Sequence, residues 1–347
     1  MEFQLRQGGR AASAFISDLS FNAAKLRPRI DAELKQRGLD ESTLAADLDA
    51  RLRQVDAALA DSSAARAYAI TSEWSAANHG RIAQSAFEEI RPELEPRMRE
   101  LQSGPTTLRA YPERPIPDYF REGPWIHRTT GGWDGHPYQG FVHGELVHRT
   151  YVARNYGGNI YGQRRGILQE LRNRSPQRIL EIGASSGNFT LQLQQEFPKA
   201  EIWGCDISIR MLEQAQRIGN EHGYAWKLHQ LPGEATGFES GSFDLVASYI
   251  VVHEVPAAIT VQHLREAFRL LRPGGEVLFS DAPRYAAIDK AAVRWYEYLA
   301  VHGGEPFWRD AALLDLGAAA REAGFVDVRS QGQGGGVYPW YVYGRKP

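Results

Sequence analysis

Apolar positions recur every three or four residues through the first part of the chain, then change to short unbroken runs punctuated by glycine. Leu44, Leu48, Leu52, Val55 and Leu59, with acids and arginines between them, predict an amphipathic helix bounded by Gly38 before and Asp61-Ser62-Ser63 after. An alanine-rich continuation through Trp74, Ile82, Phe87 and Ile90 should stop near Arg91-Pro92 and Pro96, since proline brings no amide to the helix ladder. Residues 10–103 therefore read as helical. Beyond residue 178 the period changes. Ile179-Leu180-Glu181-Ile182 predicts a buried strand, and Gly183-Ala184-Ser185-Ser186-Gly187 a tight turn of small residues. A helix follows from Asn188, with Phe189, Leu191, Leu193 and Phe197 ahead of Pro198, and Glu201-Ile202-Trp203-Gly204-Cys205 is a second strand delivering Asp206 at its carboxyl end. Further on, the pattern predicts a helix over 208–222 capped by Ser208 and stopped by Gly223, strands over 225–230 and 243–249, and a helix over 257–272. A strand over 276–281, a helix over 309–323, and strands over 326–329 and 337–343 complete it, the last two joined by the glycine run 332–336.

Between residues 104 and 162 neither period holds. Pro105, Pro112, Pro115, Pro117 and Pro124 break regular structure, and the stretches 125–136 and 141–145 concentrate aromatic, histidine and glycine residues. Long irregular segments inside compact proteins tend to carry function, so part of a substrate pocket is expected here. His127, His136, His143 and His148 raise the question of a metal, but their spacings of nine, seven and five match no familiar zinc pattern, and no metal ligand is assigned. A helix is expected from about residue 144, carrying His148, Tyr151 and Val152. Tyr156-Gly157-Gly158-Asn159-Ile160-Tyr161 then leads into the next one.

Composition narrows the class. With 347 residues, 43% of them hydrophobic, the chain can bury one large or two ordinary domains. A net charge of -2 leaves no electrostatic footprint for nucleic acid. No apolar run approaches the about 20 residues that span a bilayer, and none at the start resembles a signal sequence, so a cytoplasmic protein with no membrane or nucleic-acid partner is expected. The single cysteine, Cys205, cannot form an internal disulfide and is expected to be inert in its buried strand.

Strand, small-residue turn, helix, strand and acid together suit a nucleoside: turn amides meet a polar group, and the acid accepts ribose hydroxyl protons. Three ligand classes use this geometry. A dinucleotide fingerprint needs glycine at positions 183, 185 and 188, and only Gly183 is present. A serine-hydrolase elbow, G-x-S-x-G, matches residues 183–187 letter for letter, but it normally follows several strands and an oxyanion loop, whereas the preceding chain reads as helix and aromatic loop.

For the third class, S-adenosylmethionine binding, the run Glu181-x-Gly183-x-Ser185-x-Gly187 resembles the first motif of class I S-adenosylmethionine-dependent methyltransferases, with Ser185 in place of the usual middle glycine. Asp206, Ser242-Phe243-Asp244-Leu245-Val246 and Leu270-Leu271-Arg272-Pro273-Gly274-Gly275 extend the resemblance from about residue 160 onward. The resemblance implies an α/β fold: a seven-stranded Rossmann-like sheet in residues 163–347. Residues 1–103 would then be a helical cap or dimerisation region and 104–162 a connector contributing to the pocket. It further implies S-adenosylmethionine held by Glu181, Gly183, Ala184, Ser185, Gly187, Asp206, Ile207 and Ser248, with Gly233 or Glu234 of the 231–235 loop facing the adenine. Ahead of the core, Tyr161 and Arg164 are placed at the methionine end. His253 is the expected general base, with Tyr161 and Tyr249 as further catalytic positions. The expected activity is methylation of a small-molecule acceptor at oxygen, nitrogen or carbon. Two alternatives stay open: a lyase that cyclises the methionine portion and releases methylthioadenosine, and a non-catalytic assembly protein dimerising through its N-terminal helices.

Overall fold

The unit at residues 178–206 lies in the middle of an eight-stranded sheet. In this computed structural model residues 2–123, 125–155 and 159–347 are described; Pro124 and Tyr156-Gly157-Gly158 lie outside the described residues. The strands are β1 (Thr107–Arg109), β2 (Arg178–Ile182), β3 (Glu201–Asp206), β4 (Lys227–Gln230), β5 (Phe243–Tyr249), β6 (Leu271–Asp281), β7 (Val326–Gly332) and β8 (Trp340–Arg345), in the order β1-β4-β3-β2-β5-β6-β8-β7. Strands β1 to β6 pair in parallel, while β8 runs antiparallel to both β6 and β7. Strand order reverses between β2 and β5, and ligands of open α/β sheets bind at the carboxyl ends beside such a reversal. Gly183, Asp206 and Tyr249 all stand there.

Eight strands replace the expected seven because the connector supplies one. Thr107–Arg109 is too short to show a period, yet it finds the open edge of β4: Thr107 N donates to Trp226 O at 2.9 Å, and Thr106 Oγ1 donates to Tyr224 O at 2.6 Å. Strands β2 and β5 are buried on both faces, as parallel strands covered by helices must be. On one face α9 (Asn188–Glu196) and α10 (Ile209–Glu221) bury Phe189, Leu193, Leu212 and Ala215 around Trp226. On the other, α11 (Ala257–Leu270) and α14 (Leu316–Glu322) bury Leu264, Ala267 and Ala320 against Val246 and Phe279. Cys205 is fully buried in β3.

The N-terminal helices are α1 (Gln7–Ala24), α2 (Arg27–Gln36), α3 (Leu48–Ala58) and α4 (Ser63–Glu100). Helix α3 starts later than its apolar spacing suggests, because Asp47 caps it by accepting from Ala50 N at 2.8 Å and leaves Leu44 buried in the preceding turn. Helix α4 runs through Pro92 and Pro96 instead of stopping there. Both prolines are exposed, so the carbonyls they leave without an amide partner face water, while Phe87 and Met98 bury against Phe141 and Val142. Short α5 (Asp118–Arg121) follows in the connector. A continuous helical run then covers residues 139–155, beginning earlier than expected: α6 (Gln139–Phe141), a π-helical stretch Val142–Val152, and α7 (Ala153–Asn155). Helix α8 (Ile160–Ile167) is capped by Asn159, whose Oδ1 accepts from Tyr161 N at 2.9 Å.

After β6, α12 (Val293–His302) lays Trp295 against Tyr68, Leu34 and Val55, tying the N-terminal helices to the C-terminal part. The single helix expected over 309–323 is two, α13 (Trp308–Leu313) and α14. Asp315 breaks the run by capping the second, accepting from Ala318 N at 3.0 Å. Strand β6 also begins at Leu271, so α11 ends at Leu270, two residues short of the expected boundary.

Candidate active site

One cavity of about 950 Å³ runs from the carboxyl edge of the sheet to the underside of the N-terminal helices. At the sheet end the chain turns sharply after β2. Gly183 has φ +74° and a Cβ on it would lie 2.3 Å from Val251 Cγ2, so only glycine fits without displacement. Its amide and that of Ala184 donate to Cys205 O at 2.8 and 3.0 Å, pinning the turn to the tip of β3. Asp206, next along β3, accepts from Ser185 N at 2.8 Å on Oδ2 and from Ser208 N at 2.9 Å on Oδ1. Burial nevertheless raises its carboxyl to about 7, against the pull of those two amides. Each oxygen keeps accepting capacity for a ligand hydroxyl. Ile207, Ala184, Ser185 and Gly233 line the same end.

Glu181 also lines the cavity; burial lifts its carboxyl to about 8, partly offset by the Thr190 hydroxyl, which donates to Oε2 at 2.5 Å. Arg164 on α8 reaches the cavity beside Tyr249, its guanidinium carbon 5.0 Å from the ring centroid. One of its Nη atoms donates to Ile160 O at 2.7 Å. Its Nε is buried with no hydrogen-bond partner among the described residues.

Four expected contacts fall elsewhere. Tyr161 is not on the cavity wall: Ile160, Gln163 and Arg164 occupy the facing side of α8, and its hydroxyl donates instead to Asn188 Oδ1 at 3.2 Å. Ser248 is buried on the opposite face of β5 from Tyr249, as the period of two requires. Gly187 serves the turn, with φ +84° and a Cβ position 2.9 Å from Ala215 Cα, and does not line the cavity. Glu234 is engaged by Tyr119, whose hydroxyl donates at 3.0 and 3.1 Å, and by His263 Nε2 at 3.3 Å, which leaves Gly233 to face the cavity. Ser185 makes no hydroxyl bond to a histidine among the described residues; it meets Asp206 through its amide, so no hydrolase triad assembles around it.

Farther in, the cavity is walled by histidines. The π-helical stretch holds residues five apart nearly above one another, which brings His143 and His148 to a ring separation of 4.5 Å. Burial drives both well below the usual imidazole range, so both are neutral. Asn188 Nδ2 meets His148 Nδ1 at 3.1 Å. His253 sits opposite: its Nδ1 donates to Asp281 Oδ1 at 2.6 Å, and Asp281 is itself fixed by the amides of Val252 and Ala282, each at 2.5 Å. Burial pulls His253 down, but Asp281 above all, with Glu305 and Glu254, outweighs it and lifts the imidazole to about 9. It is therefore an imidazolium at neutral pH, not the free base the sequence suggests. His127, at a strained φ of +53°, donates through Nδ1 to Glu305 Oε1 at 2.6 Å, with Nε2 at 3.4 Å from Glu254 Oε1. The chamber closes with Arg27, Tyr68, Tyr296, Tyr298 and Trp308.

Asp281, Glu305, Tyr119, Arg27 and Tyr68 have no place in the sequence-derived site. Asp281 carries a legible signal, an acid at the carboxyl end of a parallel strand. Glu305 and Arg27 carry none.

A family model described as a methyltransferase domain matches residues 179–275. Among curated proteins, an arsenite methyltransferase from Mus musculus is 27% identical over 252 residues, covering 66% of this chain and 54% of that protein. A demethylmenaquinone methyltransferase from Lactococcus lactis is 30% identical over 178 residues, 46% of this chain and 69% of that protein. The chain spans about half the length of the first curated relatives it matches. Among solved structures, an O-methyltransferase family protein from Burkholderia thailandensis aligns with a TM-score of 0.46 at 14% identity, covering 75% of this chain and 70% of that one.

Proposed function

We propose that this chain, which belongs to the class I S-adenosylmethionine-dependent methyltransferase superfamily, transfers a methyl group from S-adenosylmethionine to a small molecule held beneath its N-terminal helices. The observation that carries this reading is the continuity of the cavity: the Asp206 carboxylate and the aromatic and histidine chamber open into one space. The donor set suits the cofactor. Asp206 offers a carboxylate to vicinal hydroxyls, and the unpartnered Nε of Arg164 suits the carboxylate of a methionine moiety. When bound, S-adenosylmethionine supplies an electrophilic methyl group on a sulfonium, so no covalent protein nucleophile is required.

What the chain contributes is grip, alignment and exclusion of water. The turn at Gly183 and Asp206 hold the nucleoside and Arg164, packed on the Tyr249 ring, the far end. Tyr68, Tyr296 and Trp308 in the far wall limit water around the acceptor. Neutral His143 and His148 face the acceptor side of the cavity, His148 held in place by the Asn188 amide. We place the protein in the cytoplasm: no helix among the described residues is long and apolar enough to cross a membrane. Exposed Phe15, Ile70 and Trp74 on α1 and α4 are where a homodimer would form.

Incubation with S-adenosylmethionine and a panel of small acceptors tests the reading. S-adenosylhomocysteine appearing only with an acceptor is the expected result. Methylthioadenosine released without any acceptor would overturn transfer in favour of cyclisation.

A further inference from the structure

Beyond the nucleoside site, the chamber holds a second constellation that methyl transfer does not require. Donor atoms of His127, His253 and Glu254 lie within 4.8 Å of one another, all on the cavity wall. Both imidazoles are oriented by a carboxylate on the other ring nitrogen. Asp281 accepts from His253 Nδ1 at 2.6 Å, and Glu305 Oε1 accepts from His127 Nδ1 at 2.6 Å. That leaves the two Nε2 atoms turned inward, His127 Nε2 at 3.4 Å from Glu254 Oε1 and His253 Nε2 at 3.5 Å from Glu305 Oε2. A carboxylate behind each imidazole is the arrangement that fixes tautomer and direction in metal-binding histidines. Glu305 is 92% buried by its 8% exposure, yet its Oε2 makes no hydrogen bond among the described residues. Its cationic neighbour is the His253 ring, 3.5 Å away, so a buried carboxylate oxygen with no hydrogen bond lies beside the inward-facing Nε2.

We propose that His127, His253 and Glu254 bind one first-row divalent cation of the zinc class in the wall of the acceptor chamber, with Glu305 orienting His127 from behind. Two nitrogens and a carboxylate suit zinc, cobalt or iron better than magnesium or calcium, which take oxygen alone. Bonds of about 2.0–2.2 Å need donors roughly 3–4 Å apart, so the three must close by about 1 Å. Because its ligands line the cavity, the ion would keep a coordination position open to the hydroxyl or thiol of an acceptor; this last step rests on the methyltransferase reading, while metal binding itself does not.

The test is made on the chelator-treated full chain without S-adenosylmethionine, so its outcome is independent of the transferase assay. Titration with Co²⁺ should give one equivalent bound with the visible absorption of a nitrogen- and oxygen-ligated ion, displaced by Zn²⁺. His253→Ala and Glu254→Gln should abolish stoichiometric binding, and Asp281→Asn should weaken it about 10–100-fold. Should a variant fail to fold, the wild-type histidine ring resonances decide: paramagnetic broadening by Co²⁺ at His127 and His253 supports the site. Broadening centred on His143, His148 or surface histidines, or no stoichiometric uptake, overturns it.

Discussion

Replacing Asp206 removes the contact on which nucleoside binding depends, and the cost can be worked from its surroundings. Each ligand hydroxyl donating to this carboxylate makes a charge-assisted hydrogen bond, worth about 1.5–3 kcal/mol. Two of them give about 3–6 kcal/mol, less what water recovers in the vacated space. Asp206→Ala should therefore weaken S-adenosylhomocysteine by about 3 kcal/mol, on the order of a hundredfold in Kd. The amides of Ser185 and Ser208 lose their acceptor as well, so Asp206→Asn, which keeps one carbonyl oxygen, separates loop distortion from lost contacts.

The pH profile is the sharper readout. The ionised carboxylate accepts both hydroxyl protons, whereas the protonated form presents a donor where an acceptor is needed. Binding therefore strengthens with rising pH and is lost as pH falls through about 7, where burial sets this carboxyl. About a tenth of it is ionised at pH 6 and about nine tenths at pH 8, so affinity should rise about tenfold across that window in the wild type and stay flat in Asp206→Asn. Isothermal titration calorimetry measures both. A Kd within threefold of wild type in both variants, with unchanged thermal midpoints, or a flat wild-type profile, refutes the proposed grip.

Arg164→Met should weaken S-adenosylhomocysteine roughly 10–100-fold by removing the guanidinium from a ligand carboxylate, while methylthioadenosine, which has no carboxylate, binds as before. Equal loss for both ligands would show that Arg164 acts only through packing on Tyr249. Gly183→Ala combines a left-handed φ of +74° with a Cβ 2.3 Å from Val251 Cγ2, and should cost about 2–5 kcal/mol in denaturant unfolding. Adding Val251→Ala should recover the steric part alone; full recovery, or no loss in the single variant, would contradict this account of the turn.

What the sequence disclosed and what it hid divide along the range of the interactions. Gly183, Ala184, Asp206 and Ile207 were legible because turn, cap and strand end are spelled by neighbouring residues, and a glycine held at φ +74° has few substitutes. The Rossmann-like sheet came from the resemblance of its motifs, which do not reach the edge strand Thr107–Arg109, and three residues carry no period of their own. Tyr161 and Ser248 were misplaced for want of phase. On α8 the cavity takes positions 160, 163 and 164, and on β5 it takes 249, so each misjudged residue stands one step from the face that counts.

The far chamber lies beyond local reasoning altogether. His143 and His148, five apart, share no face of an α-helix and looked unrelated; the π winding alone superposes them, and nothing in Val142–Val152 announces it. Glu305 meets His127 across more than half the chain, while Arg27 and Tyr68 reach the same cavity from the opposite terminus. The placement of Tyr68, and with it the roof of the chamber, depends on how the N-terminal helices seat against α12. Shifting that seat would alter the chamber while leaving the Gly183 turn and Asp206 in place, because those are held by β2, β3 and the Ser208 amide at the start of α10. The nucleoside grip and the choice of acceptor are thus held by separate parts of the fold. Substitutions at Arg27 or Tyr68 should accordingly move acceptor KM without moving the Kd of S-adenosylhomocysteine, and parallel changes in both would mean that roof and turn form one site.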